Sequence, residues 1–457
     1  MIALNYNVEL YDMAKTNTQK IGLIASIAFA VGAMVGGGVF VLSGLALKQT
    51  GPSAILSFVI AGIMVLVSAL SFATIASAKH SARYSGYELV GKALGSPIWS
   101  FFTSWSFYLA GIIGAAFVLN AFGLYLTQFF LKNQSAIFWA LGGALAITLL
   151  NLGPASKIAR VESFLVGLKL LILVLLIIFG IKFFSINDLK PFDPHGLNQI
   201  LVSSAFLFIA FLGFNVINNI SSDIKNPTKT IPRAIILSML IVTIIYVGVV
   251  VALLAAHIHT YSEASVGAAA QKLIGPVGGV LIIIGALVST LSSANANILG
   301  SSEIMIRLTL DKQVPTILGK LKHGHPYYSV LGGAFLYIIL IASNQTNTII
   351  GLANVSAIWA LIIVNFGAYK LIKSNKYPGI IKLPGGKLLP VLGIIFSALE
   401  LFFISPTTNL IGFGLILSGL ILYLLRKRFH NVSLHLETKT IFEDIRGPLV
   451  RALHSIK

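Results

Sequence analysis

The length of its apolar runs constrains this chain more than any other feature. Windows of about 19 residues mark twelve of them, at 21–47, 54–78, 97–131, 135–152, 161–184, 199–222, 231–256, 277–305, 327–343, 348–372, 388–405 and 409–425. At about 1.5 Å per residue, each can cross a hydrocarbon core of about 30 Å as a helix. Barrel strands would alternate over about ten residues, and these runs do not. Composition agrees. Hydrophobic residues make up 56% of the chain and charged residues 10%, against about 25% charged in a soluble domain. So few charges cannot cover a water-facing surface, and so apolar a chain is not disordered. The expected fold class is an all-α polytopic membrane protein with twelve transmembrane helices. A soluble enzyme is excluded. Residues 1–20 are polar and lack a signal-peptide pattern, so the first span is expected to be retained.

Orientation follows from the basic residues. With both termini on one side, that side carries 26 of the 32 Lys and Arg, the opposite side five, and Lys169 falls within a span. This asymmetry puts both termini in the cytoplasm of a cell (inner or plasma) membrane. The net charge of +18 is therefore an insertion signal, and no nucleic-acid partner is expected. Cysteine is absent, so thiol chemistry is too. The nine His show no metal spacing; His257 and His259 fall in an outer loop. No metal or cofactor is expected.

Two spans are broken near their middles. The first holds Gly36, Gly37 and Gly38 in succession, each costing about 1 kcal/mol relative to alanine in a helix. The sixth holds Phe211-Leu-Gly-Phe-Asn215, then Asn218 and Asn219. Small residues also serve close helix packing, but interruptions at matching positions of two halves point to a transporter site at the bilayer midplane. The implied organisation is a cytoplasmic tail (1–20), two inverted repeats of five helices (21–184 and 199–372), two added helices (388–425) and a second cytoplasmic tail (426–457).

The residues at these breaks resemble a known family, the amino acid–polyamine–organocation transporters. Gly32-Ala-Met-Val-Gly-Gly-Gly-Val-Phe40 is similar to its G-x-x-I-G-[SA]-G-I-F signature. The stretch from Phe211 to Ala234, with Asp223 and Asn226-Pro-Thr-Lys-Thr-Ile-Pro-Arg233, resembles its sixth-helix exit motif. Lys169 in the fifth span resembles the lysine of ApcT-type proton-coupled members. The resemblance covers roughly residues 20–425 and implies a LeuT-type 5+5 inverted repeat, amino-acid transport and alternating access. The chain departs from the pattern at four places. Gly37 stands where Ser or Ala is common, Asp223 where Glu is usual, Glu303 where many members carry Arg, and Asn215 where some antiporters carry an acid.

An amino acid brings a carboxylate and an ammonium. A half-helix restarting after Gly36–Gly38 would offer free N–H groups and a positive dipole end to the carboxylate. Carbonyls freed around Val31–Met34 and Phe208–Phe211 would take the ammonium. The candidate binding residues are Met34, Gly36, Gly37, Gly38, Ile209, Phe211, Leu212 and Gly213, with Tyr108 from the third span. None is charged, which favours a neutral or apolar substrate. Of the fourteen acids only Glu400 lies well within a span, outside the repeats. Lys169 lies nine residues after Arg160, about 13 Å into the membrane, where a charge costs about 2.5–3.5 kcal/mol. Desolvation disfavours a charged amine, so a lysine there can exchange a proton during a cycle. The resemblance places it where sodium sits in sodium-coupled relatives, with Ser289, Ser292 and Ser293 as candidate partners. The leading expectation is a proton-coupled amino-acid importer whose partners are substrate, proton and bilayer. The alternatives are an amino-acid or amine exchanger and a transport-silent nutrient receptor. A membrane-embedded enzyme would need a His/Asp/Glu constellation at depth, and the spans hold none.

Overall fold

The computed structural model describes residues 21–76, 86–152, 155–215, 217, 224–320, 327–374, 385–424 and 426, with the backbone alone for 76, 86 and 155–166. Asn218, Asn219, Asp223, the N-terminal tail and residues 427–457 of the second tail lie outside the described residues. The described chain is helical, with one isolated bridge, Ile21 to Ile224. In chain order the helices are α1 (Leu23–Met34), α2 (Gly37–Thr50), α3 (Ala54–Ala76), α4 (Gly86–Leu94), α5 (Pro97–Phe129), α6 (Ala136–Asn151), α7 (Ala155–Phe183) and α8 (Leu197–Leu207). After α8 come α9 (Pro227–Ala255), α10 (Ser265–Ile274), α11 (Pro276–Leu310), α12 (Tyr327–Ala342), α13 (Thr346–Ser374), α14 (Leu388–Phe403) and α15 (Pro406–Leu424).

Among the described residues, six helical stretches are long and apolar enough to cross a membrane, and five shorter apolar helices accompany them. The chain is a polytopic membrane protein. Four of its long helices begin with proline at the first position, where the missing N–H has no helical partner to lose. Before α5, Ser96 Oγ accepts the Ile98 N–H at 3.4 Å. Before α11, Gly275 turns the chain at φ +90°.

The outer surface of α7 shows how the bundle meets its surroundings. Leu171, Val174, Leu175, Ile178 and Ile181 form an exposed apolar stripe, while Lys169, Ile172, Leu173 and Leu176 turn inward. Lipid is the solvent that such a stripe fits. Inside, α5 packs along α6, α11 and α13, and α9 packs on α1, α3 and α7. These contacts surround the two places where the chain leaves helical geometry.

Candidate functional site

The first break lies at Val35 and Gly36. Val35 N–H still reaches Val31 O at 2.8 Å, but Gly36 N–H turns back to Met34 O at 2.8 Å. The helix therefore ends at Met34 and restarts at Gly37, the middle of the glycine run. The glycines differ in what surrounds them. A Cβ on Gly36 would overlap Ser293 Oγ and stand 2.9 Å from Ser293 Cβ. One on Gly37 would stand 2.8 Å from Thr290 Cγ2. One on Gly38 would meet nothing nearer than Leu42 at 3.5 Å. Gly36 and Gly37 thus let α11 pack against the break, while Gly38 has room.

The second break follows α8. The chain tightens into a 3-10 turn over Phe208–Phe211, extends at Leu212 and reverses at Gly213 with φ +125°. A Cβ at Gly213 would lie 2.9 Å from Ala33 C and Met34 N, so the backbones of the two breaks touch. Tyr246 of α9 joins them. Its buried hydroxyl lies 2.9 Å from Met34 O and 2.6 Å from Ala210 O, one donor between two carbonyls. Phe58 and Phe211 flank its ring, each at 5.3 Å between centroids.

Ending a helix leaves carbonyls without N–H partners, and the partners of those at α1 can be traced. Val31 O keeps Val35 N–H, and Met34 O takes Gly36 N–H and a share of Tyr246. Gly32 O accepts from Lys169 Nζ at 2.8 Å. Lys169 is only 1% exposed. Ala33 O accepts from no backbone N–H among the described residues, and Ala33 lies on a cavity wall. Of the serines expected beside Lys169, Ser289 and Ser292 are buried in α11, and Ser289 Oγ has no partner among the described residues. Ser293 stands instead against Gly36, on the cavity wall.

That cavity, of about 100 Å³, opens at the two breaks. Met34, Gly36, Gly38, Ile209, Leu212 and Gly213 line it, as do Asn215 and two helix faces. The α5 face is Phe107, Ala110, Gly111, Gly114, Phe117 and Val118. The α11 face is Ser293, Ala296, Asn297, Gly300, Ser301 and Ile304. Among the described residues, no wall residue is charged. Three expected wall residues lie elsewhere. Tyr108 sits about 100° around α5 from Phe107; its ring stacks on Trp105 and its hydroxyl faces Gly333. Phe211 points into the Tyr246 cluster, because successive residues of the 3-10 turn face different ways. Gly37 packs under Thr290 and Val118. The α5 stripe, Asn297 and Tyr246 were not singled out in the sequence; three-and-four spacing from Phe107 to Phe117 was the available signal. Among the described residues no group of three His, Asp or Glu gathers to hold a metal.

Two broken helices that meet through their backbones, beside an uncharged cavity in a polytopic bundle, define the class of a membrane solute carrier. The amino acid permease family model matches residues 26–422, and the chain belongs to that family. It is 26% identical to the branched-chain amino acid permease BcaP of Bacillus subtilis over 91% of this chain and 95% of the relative. It is 29% identical to the inner membrane transport protein YbaT of Escherichia coli, over 66% and 72% respectively. With the serine/threonine exchanger SteT of Bacillus subtilis it shares 27% over 71% and 75%. These relatives are transporters, and the chain is a permease rather than an enzyme.

Proposed function

We propose that this permease imports neutral amino acids by alternating access, coupled to protons through Lys169. The reading takes the twelve apolar runs as twelve crossings, the first ten as two inverted repeats, and both termini as cytoplasmic in the cell membrane. The substrate carboxylate sits on the N–H groups that open α2, at Gly37, Gly38 and Val39, where the dipole end is positive. The ammonium takes Ala33 O. Phe107, Phe117 and Ile209 accept the side chain, and the uncharged wall excludes acidic and dibasic substrates. The cavity of about 100 Å³ is smaller than the ~300–1,000 Å³ typical of ligand pockets, as suits a site whose walls part during the cycle.

The observation that carries the proton assignment is the bond from buried Lys169 Nζ to Gly32 O at 2.8 Å. It joins the fifth span to the last turn of α1. Protonated, the ammonium neutralises the negative end of α1 and holds it. Neutral, it loses that attraction, and α1 is released toward the other access state. Proton occupancy is thereby linked to the position of the helix that carries the substrate groups.

The test is accumulation of labelled L-valine and L-serine in proteoliposomes under an imposed pH gradient. Wild type should accumulate without sodium, more as external pH falls, and lose the gradient with a protonophore. Lys169→Ala should lose accumulation at least tenfold while still binding substrate. Equal gradient-driven accumulation in both would overturn the proton role and favour exchange.

A further inference from the structure

We infer that Tyr87, on the short helix α4, sets how large a substrate side chain the central cavity accepts; the inference rests on the amino-acid transport reading above. Tyr87 stands behind the cavity wall rather than on it. It is a positioning residue, and it acts through the ring of Phe107.

Phe107 closes one end of the cavity. α5 and α11 run antiparallel there, with Gly111 against Ser301 and Gly114 against Asn297, so Phe107 and Ile304 share the end that lies toward the start of α5. Behind the Phe107 ring are Tyr87, at 5.4 Å between centroids, and Phe72 of α3, at 5.9 Å. Phe72 in turn meets Tyr87 at 5.6 Å and Phe214, next to Gly213, at 6.4 Å. None of these four residues is more than 4% exposed. Rings at such separations are in contact, so Phe107 can withdraw from the cavity only if Tyr87 or Phe72 gives way.

α4 holds Tyr87 in place. Leu89 and Val90 are buried beside it. A Cβ on Gly91 would lie 2.8 Å from Ser100 Cβ of α5, and one on Gly367 of α13 would lie 3.2 Å from Val90 Cγ1. Packing this close leaves the ring little room to shift. The opposite face carries Glu88 and Lys92, paired at 3.2 Å, so α4 has one side for water and one for the bundle. The Tyr87 hydroxyl faces Asn215 of the cavity wall but makes no hydrogen bond of ordinary geometry among the described residues. It adds no tie, and the ring carries the positioning.

Size selection follows. With Phe107 pinned, the space for a side chain ends at its ring, which suits a compact group such as that of L-valine. Without the Tyr87 ring, Phe107 can turn into the space behind it, and the cavity lengthens toward α4. One methylene of fit is worth about 10–200-fold in an apolar pocket, so a longer cavity should show plainly in the choice between substrates.

Uptake of labelled L-valine and L-phenylalanine by the full chain in proteoliposomes tests this, read as the ratio of their kcat/KM values. Tyr87→Ala should raise the ratio of L-phenylalanine to L-valine by about tenfold or more. Tyr87→Leu, the milder truncation, should raise it by about threefold or more, and Tyr87→Phe should keep the wild-type ratio. Phe107→Ala should raise the ratio by itself, and Tyr87→Ala should then add less than about twofold, because the two act as one unit. An equal loss for both substrates in Tyr87→Ala and Tyr87→Leu overturns the inference and leaves Tyr87 to packing. So does a Tyr87→Ala effect that persists in full beside Phe107→Ala. If Tyr87→Ala fails to insert, Tyr87→Leu decides alone. No uptake of either substrate by wild type overturns the transport reading and this inference with it.

Discussion

Tyr246→Phe removes one oxygen and leaves the ring, so its effect isolates the tie between the two breaks. The ring keeps its packing on Phe58 and Phe211, and no cavity opens beyond the lost hydroxyl. What is lost is a donor placed 2.6 Å from Ala210 O and 2.9 Å from Met34 O. A neutral hydrogen bond contributes about 0.5–1.5 kcal/mol net, and a buried acceptor left unmade costs about 1–3 kcal/mol. Met34 O still has Gly36 N–H, so the larger cost falls on Ala210 O. The expected total is about 1–3 kcal/mol. If the tie holds the breaks in the arrangement that binds substrate, part of that loss appears as affinity. A loss of about 1.4 kcal/mol is tenfold. Titration calorimetry with L-valine should show affinity weakened by about five- to thirtyfold, with the thermal midpoint lowered more in the presence of substrate than without it. An unchanged affinity with an unchanged midpoint would refute the reasoning. A lowered midpoint that is the same with and without substrate would reduce Tyr246 to packing.

Gly213→Ala places a Cβ 2.9 Å from the backbone of Ala33 and Met34 at φ +125°, a strain of order 1–3 kcal/mol; uptake should fall at least tenfold with membrane insertion retained. Gly36→Ala should abolish uptake through its overlap with Ser293, whereas Gly38→Ala, with 3.5 Å to its nearest neighbour, should keep folding and lower substrate affinity only severalfold; equal behaviour of the two in a melting and uptake assay would count against the assigned geometry. Asn297 shows its amide 3.7–3.8 Å from a Cβ built on Gly114, so Asn297→Leu should weaken L-serine uptake about tenfold or more while sparing L-valine, read as the ratio of their kcat/KM values.

The sequence carries the membrane and the breaks openly because each has a local cause. A run of twenty apolar residues has one solvent that suits it, and glycines in such a run weaken the helix wherever the fold places them. Lys169 was legible for the same reason, since its cost at depth depends on its own position and not on a neighbour. Facing directions were not legible in this way. α5 is apolar nearly all round, so neither Phe107 nor Tyr108 declares itself the wall, and the choice belongs to α11, whose 293–304 face packs across from it. The glycine run had the same ambiguity. Three identical residues cannot announce that the first two are filled by Ser293 and Thr290 while the third stays open.

Tyr246 was out of reach for a further reason. Its two acceptors lie 212 and 36 residues away in the chain, and they are free acceptors only because both helices break. The breaks therefore create a demand that the sequence does not label. At α1 the freed carbonyls are met in turn by a backbone N–H, by Lys169 and by Tyr246, each from a different element. Ala33 O, on the cavity wall, is left without a backbone donor among the described residues. An ammonium placed there would complete a set the protein has otherwise satisfied itself. On this reading Lys169 and the substrate act on adjacent carbonyls of one helix turn, residues 32 and 33. A change in the charge at Gly32 O then alters the field at the neighbouring acceptor directly, and coupling between proton and substrate needs no longer path than one peptide unit.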